Sequence, residues 1–287
     1  MRIAEDMPDN FVTPLSSQSS PQPLKGKVAF VTGSGRGLGR TIAERLLAMG
    51  ADLALHDISE EAPARFGEVE SLSALAAQLT SGGARAVAVT GDISSNEAVE
   101  SMVAKAQERL GPISVLVNCA GGDIGADGNK PNPSTPTNFK LEDVLAVLNR
   151  NLIGTMLMCR AVAPGMVGQK EGSIVNIGSL LAHQASTVEI GYACAKSAIV
   201  HYTRCLAVEL RTSGVRANSV SPGPAKTARF LATRATDPLM MEEGPSLERY
   251  ATPAEIADAV AFFAGPESRF ITGQTLRVDG GLSVFGA

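Results

Sequence analysis

Lys27-Val-Ala-Phe-Val-Thr32-Gly-Ser-Gly-Arg-Gly-Leu-Gly39 decides the fold, because a short apolar run passes directly into a glycine-rich turn that opens a helical segment. Lys27 to Thr32 reads as a strand, and Leu38 to Met49 carries apolar residues near helical spacing. Gly33, Gly37 and Gly39 allow the turn to tighten and let backbone amides and the helix N-terminus approach a pyrophosphate, with Ser34, Arg36 and Leu38 completing the lining. Asp57 follows 18 residues beyond Gly39 and ends the second apolar run, where its carboxylate can accept hydrogen bonds from the hydroxyls of an adenosine ribose. Turn and carboxylate together predict a dinucleotide site. The charge on Asp57 repels an additional 2′-phosphate, so NAD is favoured over NADP. Arg36, inside the turn, argues the other way.

Outward from this stretch, strand-like runs recur at Asp52 to Asp57, Ala86 to Thr90, Ser114 to Asn118, Ser173 to Ser179, Val215 to Val220 and Thr275 to Asp279. Helical segments fill the gaps, among them Asn96 to Leu110, Leu141 to Val162, Tyr192 to Arg211 and Pro253 to Ala264. Alternation of this kind predicts a single-domain α/β, Rossmann-type doubly wound fold: a seven-stranded parallel sheet with helices on both faces. Residues 1–23, rich in Ser, Gln and Pro towards their end, read as a flexible arm ahead of a domain spanning 24–287. Two stretches break the rhythm, 121–138 and 222–250. Both follow strands, where ligands of open α/β sheets bind, so they are expected to wall a substrate site.

Composition narrows the function. In 287 residues, 44% apolar, a formal net charge of −4 with scattered Lys and Arg gives no footprint for nucleic acid. Cys119, Cys159, Cys194 and Cys205 match neither a zinc motif nor a disulfide framework and read as reduced core thiols. The three histidines show no metal-ligand spacing. No signal-type apolar region opens the chain and no run approaches the roughly 18 residues that cross a bilayer, so a cytoplasmic protein without a membrane or metal partner is expected.

Tyr192 and Lys196 lie four residues apart, on one face of a predicted helix. A cation beside a phenol favours the phenolate, so Lys196 is expected to lower the Tyr192 pKa from about 10 and make it a proton acceptor.

These residues together resemble the short-chain dehydrogenase/reductase family over about residues 24 to 284. Thr32 to Gly39 looks like the family's TGxxxGxG motif, and Asn118-Cys-Ala-Gly121 looks like NNAG with Cys119 in place of the second Asn. The resemblance implies cofactor contacts from Asn118, Ala120 and Gly121, from Asp92 to the adenine with Ile93 flanking it, and from Pro222, Gly223 and Thr227 around the nicotinamide. It implies a catalytic tetrad of Asn151, Ser179, Tyr192 and Lys196. In that set Ser179 holds the substrate oxygen, Lys196 also binds the nicotinamide ribose, and Asn151 holds a water. Arg277-Val-Asp-Gly-Gly281 resembles the closing strand through which the family forms homotetramers. Cys194 departs from the usual YxASK pattern at a position where change is expected to be tolerated.

The implied activity is NAD-dependent hydride transfer to or from a secondary alcohol of a small polar substrate: a sugar, polyol or hydroxy acid. The alternatives are an NADPH-dependent reductase of the 3-oxoacyl carrier-protein type and a dinucleotide-binding redox sensor without turnover. His183 is a candidate substrate contact. Lys226, Arg229 and Arg234 cluster on the second loop and read as solvated charges ahead of an anion site.

Overall fold

Val28–Val31 (β1) is buried along its whole length, as a strand covered on both faces must be. Its residues alternate between two cores. Ala29 and Val31 pack with Ile42, Leu46, Ile256 and Val260 on one side of the sheet, while Val28 and Phe30 face Met102, Val103, Met158 and Val162 on the other. The computed structural model describes residues 22–80, 84–242 and 244–284, so the expected N-terminal arm falls outside the described residues up to residue 21.

The remaining strands are Asp52–Asp57 (β2), Ala86–Thr90 (β3), Ile113–Asn118 (β4), Gly172–Ile177 (β5), Val215–Pro222 (β6) and Thr275–Val278 (β7). They form one seven-stranded sheet in the order β3-β2-β1-β4-β5-β6-β7, with every pair parallel. The chain winds outward from β1 to β3 and then returns to β4, which puts the topological switch point at the carboxyl ends of β1 and β4. The doubly wound fold read from the sequence is the one observed.

The helices are Gly37–Ala48 (α1), Leu72–Thr80 (α2), Asn96–Leu110 (α3), Leu141–Leu148 (α4), Gly154–Gln169 (α5), Ile190–Leu210 (α6), Ala228–Thr233 (α7), Pro238–Met241 (α8) and Pro253–Ala264 (α9). Segment 141–162, read as one helix, is helical to Gln169 but carries a π-helical turn at Asn149–Ile153, a widened stretch that sets Asn151 apart from a regular ladder. The loop 222–250 is less irregular than its composition implies, since α7 and α8 lie within it and Phe230 packs edge-on to Tyr250 at 5.1 Å. Residues 121–138 end in a small hairpin, Ser134–Thr135 against Asn138–Phe139.

Core thiols describe the cysteines only in part. Cys159 is buried and Cys119 half-buried, but Cys194 and Cys205 are exposed, because positions 11 apart complete about three helical turns and share the outer face of α6. All four are free. No helix among the described residues is long and apolar enough to cross a membrane.

Candidate active site

The glycine turn is shaped by backbone proximity. Gly33 and Gly37 have φ of 67° and 53°, in the left-handed region that favours glycine. A Cβ on Gly39 would come within 2.1 Å of the Gly33 carbonyl oxygen, and one on Gly33 within 2.9 Å of the Ala120 Cα. Thr32 fastens the turn to the end of β4, its Oγ1 accepting the N–H groups of Cys119 and Ala120 at 3.0 Å each. His56 fastens it to β2: the Gly33 N–H donates to His56 Nδ1 at 3.2 Å, and Nε2 faces the Gly91 carbonyl at 2.9 Å. These partners assign the neutral Nε2–H tautomer, and burial lowers the His56 pKa in keeping with it. No motif pointed to His56.

Asp57 is buried at the end of β2. Its Oδ1 accepts the Ile58 N–H at 2.9 Å and its Oδ2 has no partner, an arrangement that fits a ribose hydroxyl. The segment after β2, a 3₁₀ turn at Ala62–Phe66 with its flanks, lies against this half of the cleft. Glu68 Oε2 accepts the Gly37 N–H at 2.8 Å, at the helix terminus expected to meet a phosphate. Arg36 donates to the Ala62 carbonyl at 2.8 Å, and its guanidinium lies 5.3 Å from the Phe66 ring centroid. Arg36 is thus tied to protein groups.

Several expected cofactor contacts turn elsewhere. Ser34 is fully buried and bonds β2, accepting the His56 N–H at 2.9 Å. Ile93 is buried against Gly154, where a Cβ would come 2.7 Å from its Cδ1, so its side chain does not flank a ring site. Asp92 is exposed and accepts the Ser94 N–H and hydroxyl at 2.8 Å. The Asn118 side chain serves the core: Nδ2 donates to Asn176 Oδ1 at 2.8 Å, and Asn176 Nδ2 donates to Thr203 Oγ1 at 2.9 Å. This buried chain joins β4, β5 and α6. Leu38, Gly121, Pro222, Gly223 and Thr227 do line the cleft.

A cavity of about 660 Å³ opens at the carboxyl end of the sheet, and Ser179, Tyr192 and Lys196 line it. Burial pushes the Tyr192 phenol up to about 12, opposed by hydrogen bonding with Ser179 and by the charge of Arg229. Lys196 is buried, donates to the Ile177 carbonyl at 2.8 Å and lies 5.5 Å from the Tyr192 ring centroid. Burial lowers its own pKa to about 8. Lys196 is therefore not what sets the Tyr192 pKa in this structure; desolvation dominates both groups. Asn151 is fully buried, and its carboxamide clips the loop after β4: Oδ1 accepts the Gly122 N–H at 2.9 Å, while Nδ2 donates to the carbonyls of Gly122 at 3.0 Å and Val147 at 2.8 Å.

Part of the cavity lining is charged. Asp123, Lys130, Glu189, Arg229 and Arg234 all line the cavity. Glu189 is buried and pairs with Lys130 at 2.7 Å and with Arg234. Arg229 and Arg234 are half-buried there and are not solvated loop charges. His183 lies outside the cavity lining, with its Nε2 bonded to Ser221 Oγ at 2.9 Å. Sequence reading missed Asp123 and Glu189, although one directly follows the NCAGG run and the other stands three residues before Tyr192.

A glycine turn at a topological switch point, with a tyrosine and a lysine of α6 lining the cleft, defines a dinucleotide-dependent oxidoreductase. Comparison with known proteins agrees. The family model described as enoyl-(acyl carrier protein) reductase matches residues 33–283. A 3-oxoacyl-[acyl-carrier-protein] reductase of Synechocystis is 33% identical over 91% of this chain and 99% of its own length. Cyclohexanol dehydrogenase of Rhodococcus is 34% identical over 91% and 97%. A crystal structure of a 3-oxoacyl-[acyl-carrier protein] reductase with bound NAD from Brucella melitensis superposes with a TM-score of 0.78 at 28% identity, covering 99% of both chains. The chain belongs to the short-chain dehydrogenase/reductase family and is an enzyme acting on CH–OH groups.

Proposed function

We propose that this protein is an NAD-dependent dehydrogenase that moves hydride between nicotinamide and a secondary alcohol or ketone of a small polar substrate: a sugar, polyol or hydroxy acid. The observation that carries the reading is the meeting of Ser179, Tyr192 and Lys196 on one cavity wall beyond the glycine turn. Tyr192 exchanges the proton of the substrate oxygen, and Ser179 fixes that oxygen by hydrogen bonding. Lys196 reaches the ribose hydroxyls, and Asn151 holds the Gly121-Gly122 backbone against the site. The nicotinamide, when bound, supplies or accepts the hydride. The unpartnered Asp57 oxygen and the tethering of Arg36 support NAD over NADP, as does the NAD bound to the solved relative.

A second reading, an NADPH-dependent 3-oxoacyl reductase, draws on the names of the relatives and on a Tyr192 whose raised pKa favours the protonated, proton-donating form. A panel of sugars, polyols, hydroxy acids and 3-oxoacyl thioesters, read by nicotinamide absorbance with both cofactors, separates the two. Tyr192→Phe is expected to lower kcat by at least about 100-fold with NADH affinity near that of the parent. Substantial residual turnover would remove the assigned proton acceptor. NADH binding without oxidation or reduction of any member would return the chain to the redox-sensor reading.

Assembly as a homotetramer belongs to the same proposal. Phe270, Leu276, Leu282 and Val284 are exposed at or near the edge strand β7, and Leu141, Leu145 and Met156 are exposed on α4 and α5.

A further inference from the structure

We propose that Asp123 and Arg229 form a recognition site for a polyhydroxylated carboxylic acid, Arg229 taking the carboxylate and Asp123 a hydroxyl beyond the reacting carbon. The inference rests on the dehydrogenase reading above and narrows its substrate.

Of the five charged groups on the wall, three are already committed to one another. Glu189, the N-cap of α6, holds φ at 59° and ψ at 35°, a left-handed conformation unusual for a residue with a side chain. Its carboxylate there takes both Lys130 and Arg234. Asp123 and Arg229 remain. Asp123 is 7% exposed and lines the cavity, and its Oδ2 has no hydrogen-bond partner, which a buried carboxylate oxygen rarely tolerates. Burial, then the charge of Glu189, raises its carboxyl to about 6, and a donated hydrogen bond would relieve that penalty.

Arg229, on α7, forms no ion pair with any described residue. Among the described residues its hydrogen bond is a donation from Nη1 to the Gly121 carbonyl at 3.2 Å. Its guanidinium lies over Gly122, where any Cβ would come within 2.5 Å of Nη1 and Nη2. Gly121, Gly122 and Asp123 are consecutive, so one short loop presents a cation's seat and an unpartnered anion side by side. Arg229 lines the same cavity as Tyr192, and its charge acts on the phenol. Cations outnumber carboxylates along the cavity, which favours an anionic ligand. A guanidinium suits a carboxylate, which it can grip with two parallel hydrogen bonds.

The test uses the full-length protein with NAD and aldonic acids of four to six carbons, their primary amides, the polyols of the same chain lengths, and 3-hydroxybutyrate as an acid lacking further hydroxyls. Aldonates are expected to exceed their amides and polyols in kcat/KM by about tenfold or more, the range of one charged hydrogen bond. Arg229→Gln should bring the acid-to-amide ratio near unity through KM. Asp123→Asn should narrow the ratio of aldonate to 3-hydroxybutyrate. NADH titration by fluorescence reports that each variant keeps its fold and cofactor site. Amides or polyols oxidised as well as the acids, or an acid-to-amide ratio unmoved by Arg229→Gln, would overturn the recognition site and leave the dehydrogenase reading intact. Failure to oxidise any alcohol with NADH bound would overturn both.

Discussion

Lys196 enters the core with one hydrogen bond, to the Ile177 carbonyl, and burial lowers its pKa from the ordinary 10.5 to about 8. The folded chain therefore sheds this proton before the unfolded chain does. Stability contributed here rises with pH between about 8 and 10.5, and below that window the charged ammonium destabilises the fold by on the order of 3 kcal/mol. Lys196→Met should raise Tm by about 2–5 °C at pH 7 while abolishing turnover, and the gain should shrink towards pH 10, as scanning calorimetry of the cofactor-free protein would report. A loss of Tm at pH 7 would mean that the Ile177 bond outweighs desolvation. Tyr192 and Lys196 were legible from their spacing on one helix, and Ser179 was named through the family resemblance; all three line one cavity. The sign of the pKa effects was not, since burial is a property of the folded surroundings. His56 and Asp123 were illegible for a related reason: the former acts through backbone groups of other segments, and the latter gains its meaning from what fails to reach it.

The segment between β2 and α2 changes the cofactor half of the cleft more than any motif does. Glu68 places a carboxylate on the Gly37 amide, where the partial positive charge of the α1 N-terminus would otherwise meet a phosphate. Glu68→Gln removes that anion and should tighten NADH binding by about three- to tenfold, measured by fluorescence titration. Unchanged or weaker binding would show that the carboxylate does not compete. Strand, glycine turn and helix could be read in advance because their geometry is local. The 3₁₀ turn at Ala62–Phe66 could not, having neither helical nor alternating periodicity; its own Pro63 sits over Gly35, beside Asp57 and Leu72 from outside the turn. The π-helical turn at Asn149–Ile153 was hidden for the opposite reason, since its residues continue the helical pattern on both sides.

Among the apolar residues that the fold leaves exposed are groups at the β7 edge and on α4 and α5. Light scattering should give four times the chain mass, and Phe270→Asp with Val284→Asp should lower it. A monomer in the parent protein would remove the assembly from the proposal. The sheet carries the cofactor turn and α6 carries the tyrosine and lysine, so two separately built halves must meet at the reacting carbon. The chain from Asn118 through Asn176 to Thr203 spans that division inside the core. The cofactor's seat and the proton-exchanging tyrosine consequently have their mutual distance fixed at folding, before any ligand arrives. Substrate binding need not then supply the free energy of aligning them, and that free energy stays available to discriminate between one alcohol and another.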